Sequence, residues 1–117
     1  MKAEEAIAVL SALAQETRLA IFRLLVEAGP EGRAAGLIAE TLHVPLPTLS
    51  FHLQQLKQVQ LVRAQRKGTS VIYAANYATM NELMRYLTEN CCGGRPELCA
   101  EAQEAETCSP EANIKAC

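Results

Sequence analysis

Apolar residues recur every three or four positions along the first sixty residues, which is the spacing of one face of a helix. Residues 3–14 are rich in alanine and carry such a series, so a first helix is predicted there. A second helix is predicted from Thr17 to Ala28, where Gly29-Pro30 ends it. The residues expected on the apolar faces of these two helices are Ile7, Leu10, Leu13, Leu19, Phe22, Leu25 and Val26.

The next segment is shorter and ends in a turn. The stretch EGRAAG is typical of a loop, and residues 34–42 then predict a short helix. Pro45 has no N–H donor for a helix interior, so the sequence HVPL predicts a turn. Pro47 suits the first position of the following helix, which is expected to run to about Val59. The apolar stripe of that helix consists of Leu49, Leu53 and Leu56.

The pattern then changes from helical spacing to strands and back. Residues 61–74 predict a β-hairpin of two short segments, LVRAQR and TSVIYA, with Lys67-Gly68 at the turn. A last helix is expected to begin at Asn76 or Thr79, because Thr79-Met80-Asn81-Glu82 fits a capping box. The predicted fold is therefore mainly α with a β-hairpin, in the order α-α-α-α-β-β-α.

Charge is distributed unevenly along the 117 residues, although the net charge is only −2. Residues 1–90 hold nine Lys/Arg and eight Asp/Glu, whereas residues 91–117 hold two Lys/Arg and five glutamates. No acidic residue occurs between Glu40 and Glu82. We therefore expect a domain over residues 1–90 that carries a locally basic segment able to attract phosphate, followed by an acidic tail.

Helix, turn, polar-faced helix and basic hairpin is the order of a winged helix-turn-helix, whose second helix enters the major groove of double-stranded DNA. The residues expected to contact DNA are Pro47, Thr48, Ser50, Phe51, His52, Gln55 and Lys57 on the helix, and Arg66 and Lys67 at the hairpin tip. The alternative is a surface amphipathic helix over residues 47–59, with His52 satisfied by water.

All five cysteines fall in the last 27 residues, so a tail rich in thiols follows a domain without thiols. No apolar run is long enough to cross a membrane, and the N-terminus, MKAEEAIAVL, has two glutamates where a signal peptide would have positive charge. A cytoplasmic location is therefore expected, where the thiols stay reduced. The chain is too short for a typical two-domain enzyme, and no enzymatic activity is expected.

The stretches ALAQETRLAIFRLLVEAG and IAETLHVPLPTLSFHLQQLKQVQLVRAQRKGTSVIYA resemble the ArsR/SmtB family of winged-helix repressors over roughly residues 5–90, most specifically in PTLSFHLQQLKQVQLV. The resemblance implies a homodimer that binds an inverted-repeat operator and is released by a thiophilic or metal ligand. It also implies that the first and last helices form the dimer interface. The interface residues expected are Ile7, Leu10, Met80, Leu83, Met84 and Leu87. For the last four, the alternative is the core of their own chain.

Two ligand sites of the family are absent, because the helix before the turn has no cysteine and the last helix has no His or Asp. The segment NCCGGRPELC instead resembles the arsenic repressors whose cysteines lie at the C-terminal end. We therefore expect As(III), or Sb(III), to bind Cys91, Cys92 and Cys99, since three soft thiolates suit a trigonal thiophilic centre. The alternatives are a thiol redox switch, a zinc or cadmium site that includes Cys108, and incidental thiols.

Overall fold

Five helices and three strands follow one another in residues 1–89, the part of the chain that the computed structural model describes. The order confirms a mainly helical winged fold and adds one strand where the sequence predicted a loop. Their bounds are α1 Ala3–Leu13, α2 Glu16–Ala28, β1 Arg33–Ala34, α3 Ala35–Leu42, α4 Leu46–Gln58, β2 Val62–Lys67, β3 Ser70–Ala75 and α5 Tyr77–Leu87.

The first two helices begin and end at residues that satisfy free backbone groups. At the start of α1, the carboxylate of Glu5 accepts a hydrogen bond from the Lys2 N–H at 2.7 Å. The Gln15 side chain caps α2, because its Oε1 accepts the Arg18 N–H at 2.9 Å. Gly29, with φ of 87°, ends α2 as predicted, since a positive φ costs glycine little.

A tight turn connects α3 to α4, as the sequence predicted. His43 ends α3 in the left-handed region, with φ of 56° and ψ of 45°. Pro45 then lies at the N-cap of α4, which begins at Leu46. Pro47 therefore occupies the second helical position rather than the predicted first, where its missing N–H is equally harmless.

The hairpin forms two strands of a three-stranded antiparallel sheet in the order β1-β3-β2. Val62 is opposite Ala75 at one end of the β2–β3 ladder, and Lys67 is opposite Ser70 at the other. The loop is thus Gly68-Thr69, one residue later than predicted. Gly68 has φ of 62°, so the positive φ that a two-residue hairpin loop requires falls on glycine.

The strand β1 pairs with the middle of β3, with Arg33 opposite Tyr73 and Ala34 opposite Ile72. Gly32 precedes it with φ of 72°, and a Cβ at this position would overlap the backbone carbonyl of Tyr73. The close approach of these two backbones therefore requires glycine. A strand of two residues carries no periodicity, which is why the sequence predicted a loop here.

The core lies between the helices and the inner face of the sheet. Phe22 and Leu25 are buried as predicted, whereas Leu19 is 46% exposed and Ile21 is buried in its place. The α4 stripe is confirmed. The largest fully buried side chains are Ile21, Leu25, Ile38, Leu49, Leu53, Leu56, Leu61 and Val62. None of the helices in residues 1–89 is long and apolar enough to span a bilayer.

The last described helix begins at Tyr77, directly after Asn76, so the first of the two predicted starts is confirmed and the capping box at Thr79 is wrong. Thr79 lies inside α5 on its buried face, one turn before Leu83, and packing rather than capping decides its place. The Tyr77 hydroxyl donates a hydrogen bond to the Val26 carbonyl at 3.0 Å. That contact satisfies one of the carbonyls left free at the end of α2 and joins α5 to it.

Candidate nucleic-acid interface

The face of α4 turned away from the core carries most of the residues predicted to contact DNA. Its buried stripe packs on the core, which leaves the remaining side chains for a ligand. Among the predicted contact residues on α4, Pro47, Thr48, Ser50, Phe51 and Lys57 are exposed, whereas His52 and Gln55 are half-buried. The structure therefore brings this part of the predicted site together on one helix.

Arg18 belongs to this surface, although the sequence analysis did not single it out. Its Nη1 lies 3.3 Å from Nδ1 of His52, and its Nε donates to the Ala12 carbonyl at 2.7 Å. Arg18 thus connects the end of α1 and the start of α2 to α4. No local pattern signals a contact between residues 34 positions apart, so sequence spacing alone gives no indication of it.

The Arg18 contact fixes the chemical state of His52. A guanidinium can only donate, so Nδ1 of His52 accepts and the ring hydrogen is on Nε2. Burial, and secondarily the charge of Arg18, lower the pKa of His52 from its ordinary value of 6.5. His52 is therefore neutral at pH 7 and offers an N–H donor from Nε2.

The hairpin that follows α4 carries further exposed cations. Arg66 and Lys67 are exposed, and so is Arg63, which the predicted site omitted. Side chains alternate along a strand, so Arg66 is on one face of β2 and Arg63 and Lys67 are on the other. Within the described residues, these three side chains and Lys57 form no ion pair, so their charge is available to an anion.

The chemistry of this surface suits a polyanion. It contains no carboxylate from residue 41 to residue 81, so nothing on α4 or the hairpin repels phosphate. Within residues 1–89, no group of three His, Cys, Asp or Glu side chains is placed to hold a metal ion. The predicted ligands Cys91, Cys92 and Cys99 lie outside the described residues.

Large apolar side chains are also exposed on α1 and α5: Ile7, Leu10, Met84 and Leu87, together named the α1–α5 strip, are 62%, 42%, 56% and 57% exposed. Each pair is spaced i, i+3 on its helix, so each forms a short apolar ridge. Two residues predicted for the dimer interface are placed differently. Met80 is half-buried against the core, and Leu83, at 7% exposure, is part of the core and offers little surface to a partner.

Comparison with known proteins shows that this chain is similar to transcriptional regulators. A family model described as "Helix-turn-helix domain" matches residues 13–65. An uncharacterized HTH-type transcriptional regulator of Methanocaldococcus jannaschii is 33% identical over 88 residues, which are 75% of this chain and 97% of that protein. The transcriptional repressor SdpR of Bacillus subtilis is 32% identical over 79 residues, or 68% of this chain and 84% of SdpR.

Solved structures agree with these relatives. An ArsR-like transcriptional regulator from Rhodococcus sp. RHA1 superposes with a TM-score of 0.68 at 29% identity, covering 87% of this chain and 93% of that one. The homodimeric winged helix-turn-helix DNA-binding domain of Mb0332 from Mycobacterium bovis, a possible ArsR-family regulator, gives a TM-score of 0.61 at 30% identity. That match covers 74% of this chain and 81% of the Mb0332 chain.

Proposed function

Since this chain belongs to the helix-turn-helix transcriptional regulators of the ArsR type, we propose that it is a repressor that binds an inverted-repeat operator as a homodimer and is released by trivalent arsenic. The observation that carries the proposal of DNA binding is that α4 and the hairpin contribute no carboxylate of their own, while their cations form no ion pair within the described residues. SdpR, to which this chain is similar, is a transcriptional repressor, and this supports repression rather than activation as the proposed role.

In the proposed complex, α4 enters the major groove and the hairpin lies along the backbone. Thr48 and Ser50, near the start of α4, offer hydroxyls to base edges, and Gln55 offers an amide. Arg66 and Lys67 contact phosphates, which position the protein but do not by themselves specify sequence. Because α4 and the hairpin carry no acidic side chain of their own, neither element repels the phosphates.

The α1–α5 strip supplies the proposed dimer contact. Four large apolar side chains exposed on two helices are typical of a surface that a partner covers. The homodimeric domain of Mb0332 has the same winged fold, which supports a symmetric pair here. In such a pair we expect the two copies of α4 to enter major grooves about one helical turn of DNA apart, which suits an inverted repeat.

The proposed inducer is As(III), with Sb(III) as its chemical equivalent. The support is compositional, since all five cysteines lie in residues 91–117, and Cys91 and Cys92 follow the end of α5 by only a few residues. Because α5 carries half of the α1–α5 strip, a ligand bound just beyond it is well placed to alter the dimer. Allosteric coupling of about 1–3 kcal/mol per ligand weakens operator binding by about 5- to 150-fold.

The test is an arsenite titration of the reduced protein bound to operator DNA, followed by fluorescence anisotropy. Arsenite is expected to release the wild type, and changing Cys91, Cys92 and Cys99 to serine is expected to abolish release while DNA binding remains. Changing Cys108 and Cys117 to serine is the matched control and is expected to leave release intact. Release of the triple variant by arsenite contradicts the ligand set, and release by peroxide or zinc alone supports the other two sensors.

A further inference from the structure

Phe51 is the exposed aromatic side chain of α4, on a surface where most other exposed side chains are polar. It is 58% exposed and follows the buried Leu49 by two residues, which places it about 200° around the helix from that side chain. Phe51 therefore projects from the side of α4 farthest from the core. Single exposed apolar side chains are common on proteins, so exposure alone proves nothing. The position and the bracing of this ring carry the argument.

The Phe51 ring is braced by a chain of contacts that begins in α2. The backbone N–H of Arg18 donates to Gln15, and its Nη1 reaches the His52 ring at 3.3 Å. The His52 ring meets the Phe51 ring edge to face, with 5.4 Å between centroids and 65° between planes. A ring supported in this way loses less side-chain freedom when it enters a groove than an unsupported one.

The chemistry of the major groove then restricts what a phenyl ring can recognise there. Every base edge in that groove presents hydrogen-bond donors or acceptors, and thymine alone adds an apolar group, its C5 methyl. A phenyl ring has neither donor nor acceptor for the polar edges. A thymine methyl is therefore the group that it can contact favourably without leaving a polar base atom unsatisfied.

We propose that Phe51 is a specificity-determining residue of this protein and that it reads the C5 methyl of one thymine in each operator half-site. The inference rests on the proposed binding of α4 in the major groove and adds the base that this helix selects. Thr48 and Ser50, which offer hydroxyls, accept either donors or acceptors and are less selective. The apolar contact therefore provides a discrimination that the polar side chains of α4 do not.

The test uses a pool of random-sequence duplexes of about three helical turns, long enough for two half-sites, from which full-length protein selects bound DNA. Each thymine of the selected duplex is then replaced by deoxyuridine, which removes only the methyl group. The wild type is expected to lose about three- to tenfold in affinity at one thymine per half-site, the effect of one buried methyl. In Phe51→Ala the same replacement is expected to change affinity by less than about twofold.

The control variant is Gln54→Ala, because Gln54 is also exposed on α4 but is polar. It is expected to keep the full uridine effect, and thermal unfolding shows that both variants are folded. If no thymine matters, or if Phe51→Ala keeps the uridine effect, the role of Phe51 is refuted while DNA binding stands. If the pool yields no enriched duplex, the proposed DNA binding fails, and this inference fails with it.

Discussion

The guanidinium of Arg18 and the imidazole of His52 meet across 34 residues of sequence, with Nη1 3.3 Å from Nδ1. Because Arg18 also donates to the Ala12 carbonyl and to the Gln15 side chain, the position of His52 is set by the junction of α1 and α2. The surface of α4 is therefore oriented by parts of the chain that do not touch DNA in the proposed complex.

Acid should destabilise the protein through His52. Its pKa is lower in the folded state than the ordinary 6.5, so the unfolded chain binds the proton more readily. The contribution of neutral His52 to the free energy of unfolding is complete above pH 6.5. It decreases as the pH falls from 6.5 through the pKa of His52 in the folded protein. Urea unfolding at several values between about pH 7.5 and pH 5 measures how steeply the free energy of unfolding changes with pH.

The variant His52→Gln should lose that part of the slope, whereas His43→Asn, at an exposed histidine, should keep it. Asparagine is chosen at position 43 because it tolerates the left-handed backbone found there. Equal slopes for wild type and His52→Gln contradict the assignment.

Replacing Gly32 by alanine should reduce the free energy of unfolding by about 2–4 kcal/mol, because a Cβ is strained at this φ and overlaps the Tyr73 carbonyl. The matched control is Gly36→Ala inside α3, where a Cβ meets nothing within 4 Å. That change should be neutral or stabilising by about 0.5–1 kcal/mol, since alanine favours helix over glycine. Chemical denaturation measures the free energy of unfolding of both variants. Similar losses of stability in the two variants argue against a close contact between the backbones of Gly32 and Tyr73.

The double variant Arg66→Gln and Lys67→Gln should weaken operator binding at all salt concentrations and flatten its salt dependence. Removing one phosphate contact reduces the slope of log K against log salt by about 0.9. Anisotropy titrations at several salt concentrations measure it. Arg23→Gln is the control, because Arg23 is exposed on α2 and lies 3.9 Å from Glu27 in an i, i+4 ion pair. An unchanged slope in the double variant removes the hairpin from the interface.

A glutamate at Ile7 should dissociate the proposed dimer, because a charge buried against a second apolar strip has no partner. Sedimentation at micromolar concentration is expected to give the monomer mass for Ile7→Glu and the dimer mass for the wild type. Leu37→Glu changes a similarly exposed side chain on α3 and is expected to leave the dimer intact. A dimeric Ile7→Glu protein contradicts the place of α1 in the interface.

Local features of this fold were predictable from the sequence, and long-range ones were not. The α4 stripe of Leu49, Leu53 and Leu56 follows from helical spacing, and the hairpin follows from its strands and loop glycine. Thr79 was misassigned because a capping pattern is local, whereas its burial depends on distant residues. The same limit explains why the sequence did not reveal the pairing of β1 with β3 or the contact from Arg18 to His52 on α4.

The strand β1 has a mechanical consequence for control. It fastens the residues that lead directly into α3 to the central strand of the hairpin sheet, with Ala34 opposite Ile72. This pairing therefore restrains the distance between α4 and the hairpin tip within one protomer. In the proposed dimer, the inducer would therefore act on the distance between the two protomers, and its effect should vary with the number of base pairs between the operator half-sites.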